Sequence, residues 1–264
     1  MAQDIRFDDR VAVVTGAGGG LGRSYALELA RRGAKVVVND LGGAADGTGQ
    51  GSAAADQVVA EIEAAGGQAI SVEVDVADER STSRMSAAVL DQLGGIDILV
   101  NNAGYFRHLQ RGPFTDITVE EWDKVFAINV RGMWLCAKAV FPTMQAQRSG
   151  KIVNVSSVVA WAGSVGRLHY DSSKAAVIGL TRSLAMELGP YNIAVNTLVP
   201  GFIPHDLEYA KALPEINDRI VASRVFKRTQ LPEDMVGAAI FLSSRGADFI
   251  TGQSLLVDGG SYFQ

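Results

Sequence analysis

The chain has few of the features that would tie it to a covalent framework, a metal, a membrane or a nucleic acid. Its 264 residues include one cysteine, Cys136, so an internal disulfide is impossible and a disulfide-built scaffold is excluded. There are three histidines, and neither His108 nor His169 stands at metal-ligand spacing from the other or from Cys136, so no metal is expected. Proline is scarce, at seven residues, and no proline-rich linker divides the chain. No basic excess exists: 24 Lys and Arg face 29 Asp and Glu, a net charge of −5, which argues against nucleic acid as a partner. No apolar run approaches the ~18 residues that a membrane span needs. The opening MAQDIRFDDR carries no signal-peptide core, and the closing SYFQ is neither a peroxisomal address nor a prenylation box. The expected setting is a reducing cytoplasm.

What is present is apolar and rich in glycine. Hydrophobic residues make up 47% and charged residues 20%, a balance that folds rather than stays disordered. A chain of this length buries ~70–75% of its unfolded surface. The 29 glycines follow no period, which excludes a solenoid or collagen; they cluster after short apolar runs. Those runs fall at Val11–Thr15, Lys35–Asn39, Ala69–Val74, Asp97–Asn101, Lys151–Ser156, Ile193–Leu198 and Ser254–Val257. Most are almost continuously apolar, as strands buried on both faces of a parallel sheet read. Helical spacing fills the gaps: Leu21–Arg32, Ala54–Ala65, Glu79–Leu93, a long helix opening at Thr118 with Glu121 three residues on, Ser172–Leu188 and Glu233–Ser243. The pattern implies one α/β domain over 1–264 with about seven parallel strands, doubly wound with right-handed crossovers, of the Rossmann type. A Gly-rich surface loop is expected at 41–51 and a substrate lid at 200–228.

Thr15-Gly16-Ala17-Gly18-Gly19-Gly20-Leu21-Gly22 follows the first strand and opens the first helix. Glycines there allow a tight turn and close approach of a pyrophosphate to the helix N-terminus. Asp40 ends the second strand, where a carboxylate accepts from both ribose hydroxyls and repels a 2′-phosphate; it also suits a simple turn with Gly42 and Gly43. The turn has no Lys or Arg ahead of Gly20, so NAD is expected over NADP. Asp75 and Val76, past the third strand, face the adenine or, in Asp75, cap a helix. Asn101-Asn102-Ala103-Gly104 ends the fourth strand, with residues small enough for a ligand to pass closely. Pro200-Gly201 follows the sixth strand at the edge where such folds bind ligands.

Together T-G-x-x-x-G-x-G (Thr15–Gly22), N-N-A-G (Asn101–Gly104), Ser157, Tyr170-x-x-x-Lys174 and Pro200-Gly201 resemble the short-chain dehydrogenase/reductase family over essentially the whole chain. VVVNDLGG with its Gly-rich insert is similar to the hydroxyacyl-CoA dehydrogenase unit of multifunctional β-oxidation enzymes, and the second half to secondary-alcohol dehydrogenases and 3-oxoacyl reductases. The resemblance implies that Lys174 also binds the nicotinamide ribose, that Asn129 supports a proton relay, and that the backbone at Ile203 pairs with the carboxamide. Many relatives carry threonine where this chain has His205, which leaves open whether the histidine donates a hydrogen bond or faces solvent. A homotetramer is also implied, packed through the fourth and fifth helices and the C-terminal strand.

The chemistry fits the residues. Tyr170 and Lys174 share a helix face. A phenol with a pKa of ~10 becomes a base near neutrality only if nearby positive charge, from the ammonium and an oxidised nicotinamide, stabilises the phenolate by ~4 kcal/mol. Ser157 holds the substrate oxygen. Trp161, Tyr105, Phe106, Phe202 and Tyr209 supply walls for a hydrophobic or aromatic secondary alcohol or ketone. Lys211, Arg219, Arg224, Lys227 and Arg228 offer an alternative contact surface for an acyl carrier, and with it a 3-oxoacyl or 3-hydroxyacyl thioester substrate.

Overall fold

The computed structural model describes residues 5–42, 52–106, 108–204 and 214–263. Strands and helices alternate as β1 (Val11–Thr15), α1 (Gly20–Arg31), β2 (Lys35–Asp40), α2 (Ala53–Ala64), β3 (Gln68–Glu73), α3 (Glu79–Leu93) and β4 (Ile98–Asn101). The second half runs α4 (Val119–Phe126), α5 (Gly132–Gln147), β5 (Gly150–Val155), α6 (Val159–Ala162), α7 (Leu168–Leu188), β6 (Ile193–Pro200), α8 (Pro214–Ser223), α9 (Glu233–Ser243) and β7 (Ser254–Val257). The seven strands form one sheet in the order β3-β2-β1-β4-β5-β6-β7, and every pairing is parallel. The winding reverses between β1 and β4, so a crevice opens past the C-terminal ends of those two strands.

The near-continuous apolar strands are explained by burial on both sides. Ala12 and Val14 of β1, with Val36 and Val38 of β2, face Tyr25 and Leu29 of α1, Val58 and Ile62 of α2, and Met235 and Ile240 of α9. The alternate residues Val11, Val13 and Val37 face Met85 and Val89 of α3, Val140 and Met144 of α5, and Leu184 of α7. With period-2 side chains, two cores leave no solvent face for polar residues.

Two helices depart from their expected form. Helix α7 begins at Leu168, four residues before the boundary read from spacing, so Tyr170 and Lys174 lie on its first two turns. The helix that opens at Thr118 is capped as expected, the hydroxyl accepting from the Glu121 N–H at 3.2 Å. It is interrupted by a π-helical turn at Ala127–Arg131 before continuing as α5; such an insertion re-aims side chains and is common at functional sites. Among the described residues no helix is long and apolar enough to cross a membrane, and no group of three metal-ligating side chains forms.

Candidate active site

The crevice is built where β1 meets β4. Asn102 donates its amide to the carbonyls of Thr15 and Gly16, at 3.0 Å each, and the Thr15 hydroxyl accepts from the backbone N–H groups of Asn102 and Ala103, at 3.0 Å each. Thr15 and Asn102 thus pin the two strand ends together. Gly16 has φ +61, and a Cβ there would lie 2.8 Å from Ala103 Cα. A Cβ on Gly22 would collide with the Gly16 carbonyl and the Asn102 amide. Both positions therefore require glycine. Cβ atoms on Gly19 and Gly20 would meet nothing within 4 Å, and α1 has neither a side-chain cap nor an acidic residue in its first turn. Unpaired N–H groups and the helix dipole thus face open space, an arrangement that fits a pyrophosphate. Leu21, beside them, packs partly buried against the core.

Asp40 stands at the lip of this cradle. Its Oδ2 accepts from the Gly18 N–H at 2.9 Å and its Oδ1 from the Gly42 N–H at 3.0 Å, so the turn with Gly42 and the approach to the glycine loop are both real. Asp75 does not cap α3; Asp78 does, accepting from the Ser81 N–H at 2.7 Å. Asp75 instead turns the chain by accepting from the Ala77 N–H at 2.9 Å and lines a surface groove beside Leu41. Val76 packs against the start of α5 at Gly132.

The residues of the expected proton-transfer site converge from four segments. Tyr170 and Lys174 come from α7, Ser157 from the loop after β5, Asn129 from the π turn and Gly104 from the loop after β4. A Cβ on Gly104 would sit 3.5 Å from both Asn129 Oδ1 and Lys174 Nζ, so a side chain there would fill the space the two share. Asn129 is fully buried; its Oδ1 accepts from the Tyr105 N–H at 2.7 Å, and its Nδ2 donates to Ser173 Oγ at 3.0 Å. Lys174 Nζ lies 5.8 Å from the Tyr170 ring centroid. The Ser157 hydroxyl accepts weakly from the Val159 N–H at 3.5 Å, as a helix cap would, while also favouring the Tyr170 phenolate by hydrogen bonding. The carbonyl of Pro200 accepts from the Val158 N–H at 2.9 Å, joining the Ser157 loop to the end of β6. The Gly201 N–H donates to the Val257 carbonyl at 3.1 Å, and Ile203 packs on the core.

Burial dominates the electrostatics. It pushes the Tyr170 phenol up to about 12, against the opposing influence of the Arg167 guanidinium and the Ser157 hydroxyl, and with Asp171 adding to the rise. Burial likewise lowers the Lys174 ammonium to about 8. Lys174 alone does not acidify the phenol; the expected fall rests on the further positive charge of an oxidised cofactor.

An aromatic ring stands beside Tyr170. The Phe106 ring lies 6.2 Å from that of Tyr170, and Trp161 stacks with Tyr262 at 6.1 Å. His169, one residue before Tyr170, is fully buried, with Nε2 3.8 Å from a Glu121 carboxylate oxygen. The basic set offered for an acyl carrier is part exposed and part turned inward. Arg224 is turned inward, donating to the Phe202 carbonyl at 2.6 Å. Arg228 binds the Asp234 carboxylate through two contacts of 2.6 Å, and Lys227 donates to the Ala222 carbonyl. The correction to that surface reading is Arg224 alone; Arg219, Lys227 and Arg228 remain exposed. His205, Tyr209, Lys211 and residues 43–51 lie outside the described residues. The residue missed from sequence is Arg167, whose guanidinium carbon lies 5.8 Å from the Tyr170 ring centroid. Its position one helical turn before the tyrosine was the available signal.

A family model described as enoyl-(acyl carrier protein) reductase matches residues 16–262. A 3-oxoacyl-[acyl-carrier-protein] reductase of Synechocystis is 41% identical over 253 residues, 95% of this chain and 96% of that protein. A 7α-hydroxysteroid dehydrogenase solved with NADH and 7-oxo glycochenodeoxycholic acid superposes with a TM-score of 0.87 at 35% identity, covering 97% of this chain and 95% of that one. A gluconate 5-dehydrogenase of Burkholderia cenocepacia, solved with NADP and tartrate, gives 0.87 at 32% identity, covering 97% and 96%. With this sheet, this glycine cradle and this coverage, the chain belongs to the short-chain dehydrogenase/reductase family of nicotinamide-dependent oxidoreductases.

Proposed function

We infer that the protein exchanges hydride between NAD(H) and a hydrophobic or aromatic secondary alcohol or its ketone. The observation that carries this reading is the meeting of Tyr170, Ser157, Lys174 and Asn129 around Gly104, beside an open glycine cradle and the aromatic ring of Phe106. Gly16, Gly20, Leu21 and Gly22 hold the pyrophosphate; Asp40 binds the adenosine ribose; Asp75 and Val76 border the adenine. Asn102, Ala103 and Gly104 shape the crevice floor, and Pro200, Gly201 and Ile203 close the nicotinamide side. The bound nicotinamide supplies the hydride acceptor or donor and, when oxidised, positive charge. Ser157 donates to the substrate oxygen and orients it. Tyr170 takes the hydroxyl proton in oxidation and returns it in reduction. Lys174 keeps a buried positive charge near the phenol, and Asn129 holds the Tyr105 backbone and α7 in register through Ser173. The carboxylate of Asp40 supports NAD over NADP because it would face a 2′-phosphate with like charge.

Identity to 3-oxoacyl-[acyl-carrier-protein] reductase over almost the whole chain favours a second reading, a 3-oxoacyl or 3-hydroxyacyl thioester substrate. Initial rates with 1-phenylethanol and acetophenone against acetoacetyl thioesters, each with NAD(H) and NADP(H), separate the two. Undiminished turnover in Tyr170→Phe removes both. A homotetramer is supported by exposed apolar side chains on α5 (Trp134) and α7 (Met186), and by the edge position of β7; light scattering gives the mass.

A further inference from the structure

Arg167 is held in place by an arrangement that leaves much of its guanidinium unused. Ser164 donates its one hydroxyl proton to Asp171 Oδ2 at 2.6 Å. The lone pairs of the same oxygen accept from Arg167 Nε at 3.1 Å and Nη2 at 3.0 Å. Asp171 is 9% exposed, and its other oxygen, Oδ1, is buried without a hydrogen-bond partner. A buried carboxylate thus fixes a serine, and the serine fixes one edge of the guanidinium fork. A guanidinium carries five N–H donors, of which two are used here. No carboxylate lies within ion-pair distance of Arg167 among the described residues. Its remaining donors stay in the half-buried mouth of the site, over the ring of the tyrosine that reacts with substrate. Phe106, whose ring stands beside that of the tyrosine, carries no charge.

An arginine pre-set on one edge, whose neighbouring carboxylate Asp171 attracts it only across the Ser164 hydroxyl and takes none of its donors, matches a planar anion better than a neutral chain. We propose that Arg167 is a specificity residue that binds a carboxylate carried by the substrate a few bonds from the reacting carbon, so that the preferred substrates are hydroxy or oxo acids with an apolar body. Ser164 and Asp171 are positioning residues that act through it. The inference rests on the assignment of Tyr170 to the reacting oxygen, but its test does not need turnover.

The probes are 3-phenylpropanoate and its methyl ester, which lack a reacting oxygen, titrated by calorimetry into the full chain saturated with NADH. The wild type is expected to bind the acid ~10-fold or more tighter than the ester, the scale of one charge-assisted pair. Arg167→Gln brings the ratio near one. Arg167→Lys, which keeps the charge and loses the fork, falls between. A wild type that shows no preference for the acid overturns the proposal. So does a parallel loss of acid and ester in Arg167→Gln, which marks a role in folding or in phenolate electrostatics alone. Tyr170→Phe is assayed separately for turnover; if it remains active the base assignment fails while the acid-to-ester ratio still stands or falls by itself.

Discussion

Lys174 donates from Nζ to the carbonyl of Val155 at 3.0 Å, and Ser156, the next residue, donates its hydroxyl to the Lys174 carbonyl at 2.7 Å. The amine is therefore tied to the end of β5 at both its head and its backbone while only 4% exposed. Burial lowers its pKa from 10.5 to about 8. Between pH 8 and 10.5 the unfolded chain keeps a proton that the folded protein has lost, so stability rises with pH across that window. Below pH 8 the buried charge costs about 3 kcal/mol, set against about 1 kcal/mol for its hydrogen bond. Lys174→Met is expected to melt higher than the wild type at pH 7, to lose the rise between pH 8 and 10, and to lose turnover. Tyr170 acts in the opposite sense at higher pH: its raised pKa contributes stability below pH 10 that is lost toward pH 12. Thermal melts at pH 7 and 9.5 check this; a Lys174→Met protein less stable than wild type at pH 7 contradicts it.

Asp40 receives hydrogen bonds from Gly18 and Gly42 and keeps lone pairs for a ribose. Asp40→Ala is expected to weaken NAD binding by ~1–3 kcal/mol, the loss of charge-assisted hydrogen bonds, and to weaken NADP binding much less, because a repulsion disappears along with a contact. Dissociation constants for the two dinucleotides, measured on both proteins by fluorescence, give the answer. Equal losses for both would show that Asp40 only shapes the loop.

Helix α1 tolerates no side chain at Gly22, where a Cβ meets the Gly16 carbonyl and the Asn102 amide. Gly22→Ala must displace the turn or break the bonds that join Asn102 to Thr15 and Gly16. The expected cost is ~2–3 kcal/mol of stability, in the range of a strained or overpacked core position, together with loss of dinucleotide binding. Gly19→Ala, whose Cβ meets open space, is expected to keep wild-type stability. Urea unfolding of the two variants compares them directly.

Strands were legible in the sequence because burial on both faces writes itself as runs such as VAVVT and KVVVND, and helices because one face of each is apolar. The glycine turn was legible from its place between a strand and a helix, whereas Tyr170 and Lys174, by spacing alone an ordinary helix pair, stood out only through the family resemblance. What spacing does not carry is the partner of a side chain far away in sequence. That Asn102 reaches back to Thr15, and that Asn129 sits on a π turn against Ser173, follows from β1 and α7 packing beside segments 44 or more residues distant. Arg224 looked like a surface cation because its neighbours are basic; only the fold shows it closed over by Phe202 and Gln230. Asp75 was read as a possible cap of α3, but the helix starts three residues later and takes Asp78.

A buried polar ladder crosses the sheet behind the site. Asn101 donates to Asn154 Oδ1 at 2.9 Å, Asn154 donates to Thr181 Oγ1 at 3.0 Å, and Thr197 donates to the same oxygen at 2.8 Å. All four are at most 1% exposed. Thr181 is seven residues after Lys174, two turns along the same face of α7, so the ladder fixes the rotation of the helix that carries Tyr170. Thr181→Val keeps the shape but leaves two buried donors unpaired, at ~1–3 kcal/mol each. The expected result is an unfolding free energy lowered by ~2–6 kcal/mol, with Thr181→Ser restoring most of it because the oxygen returns. If Thr181→Val unfolds like the wild type, or if Thr181→Ser, which keeps the oxygen, loses as much stability as Thr181→Val, the hydroxyl is not what holds α7 against β5 and β6, and the ladder does not set the helix.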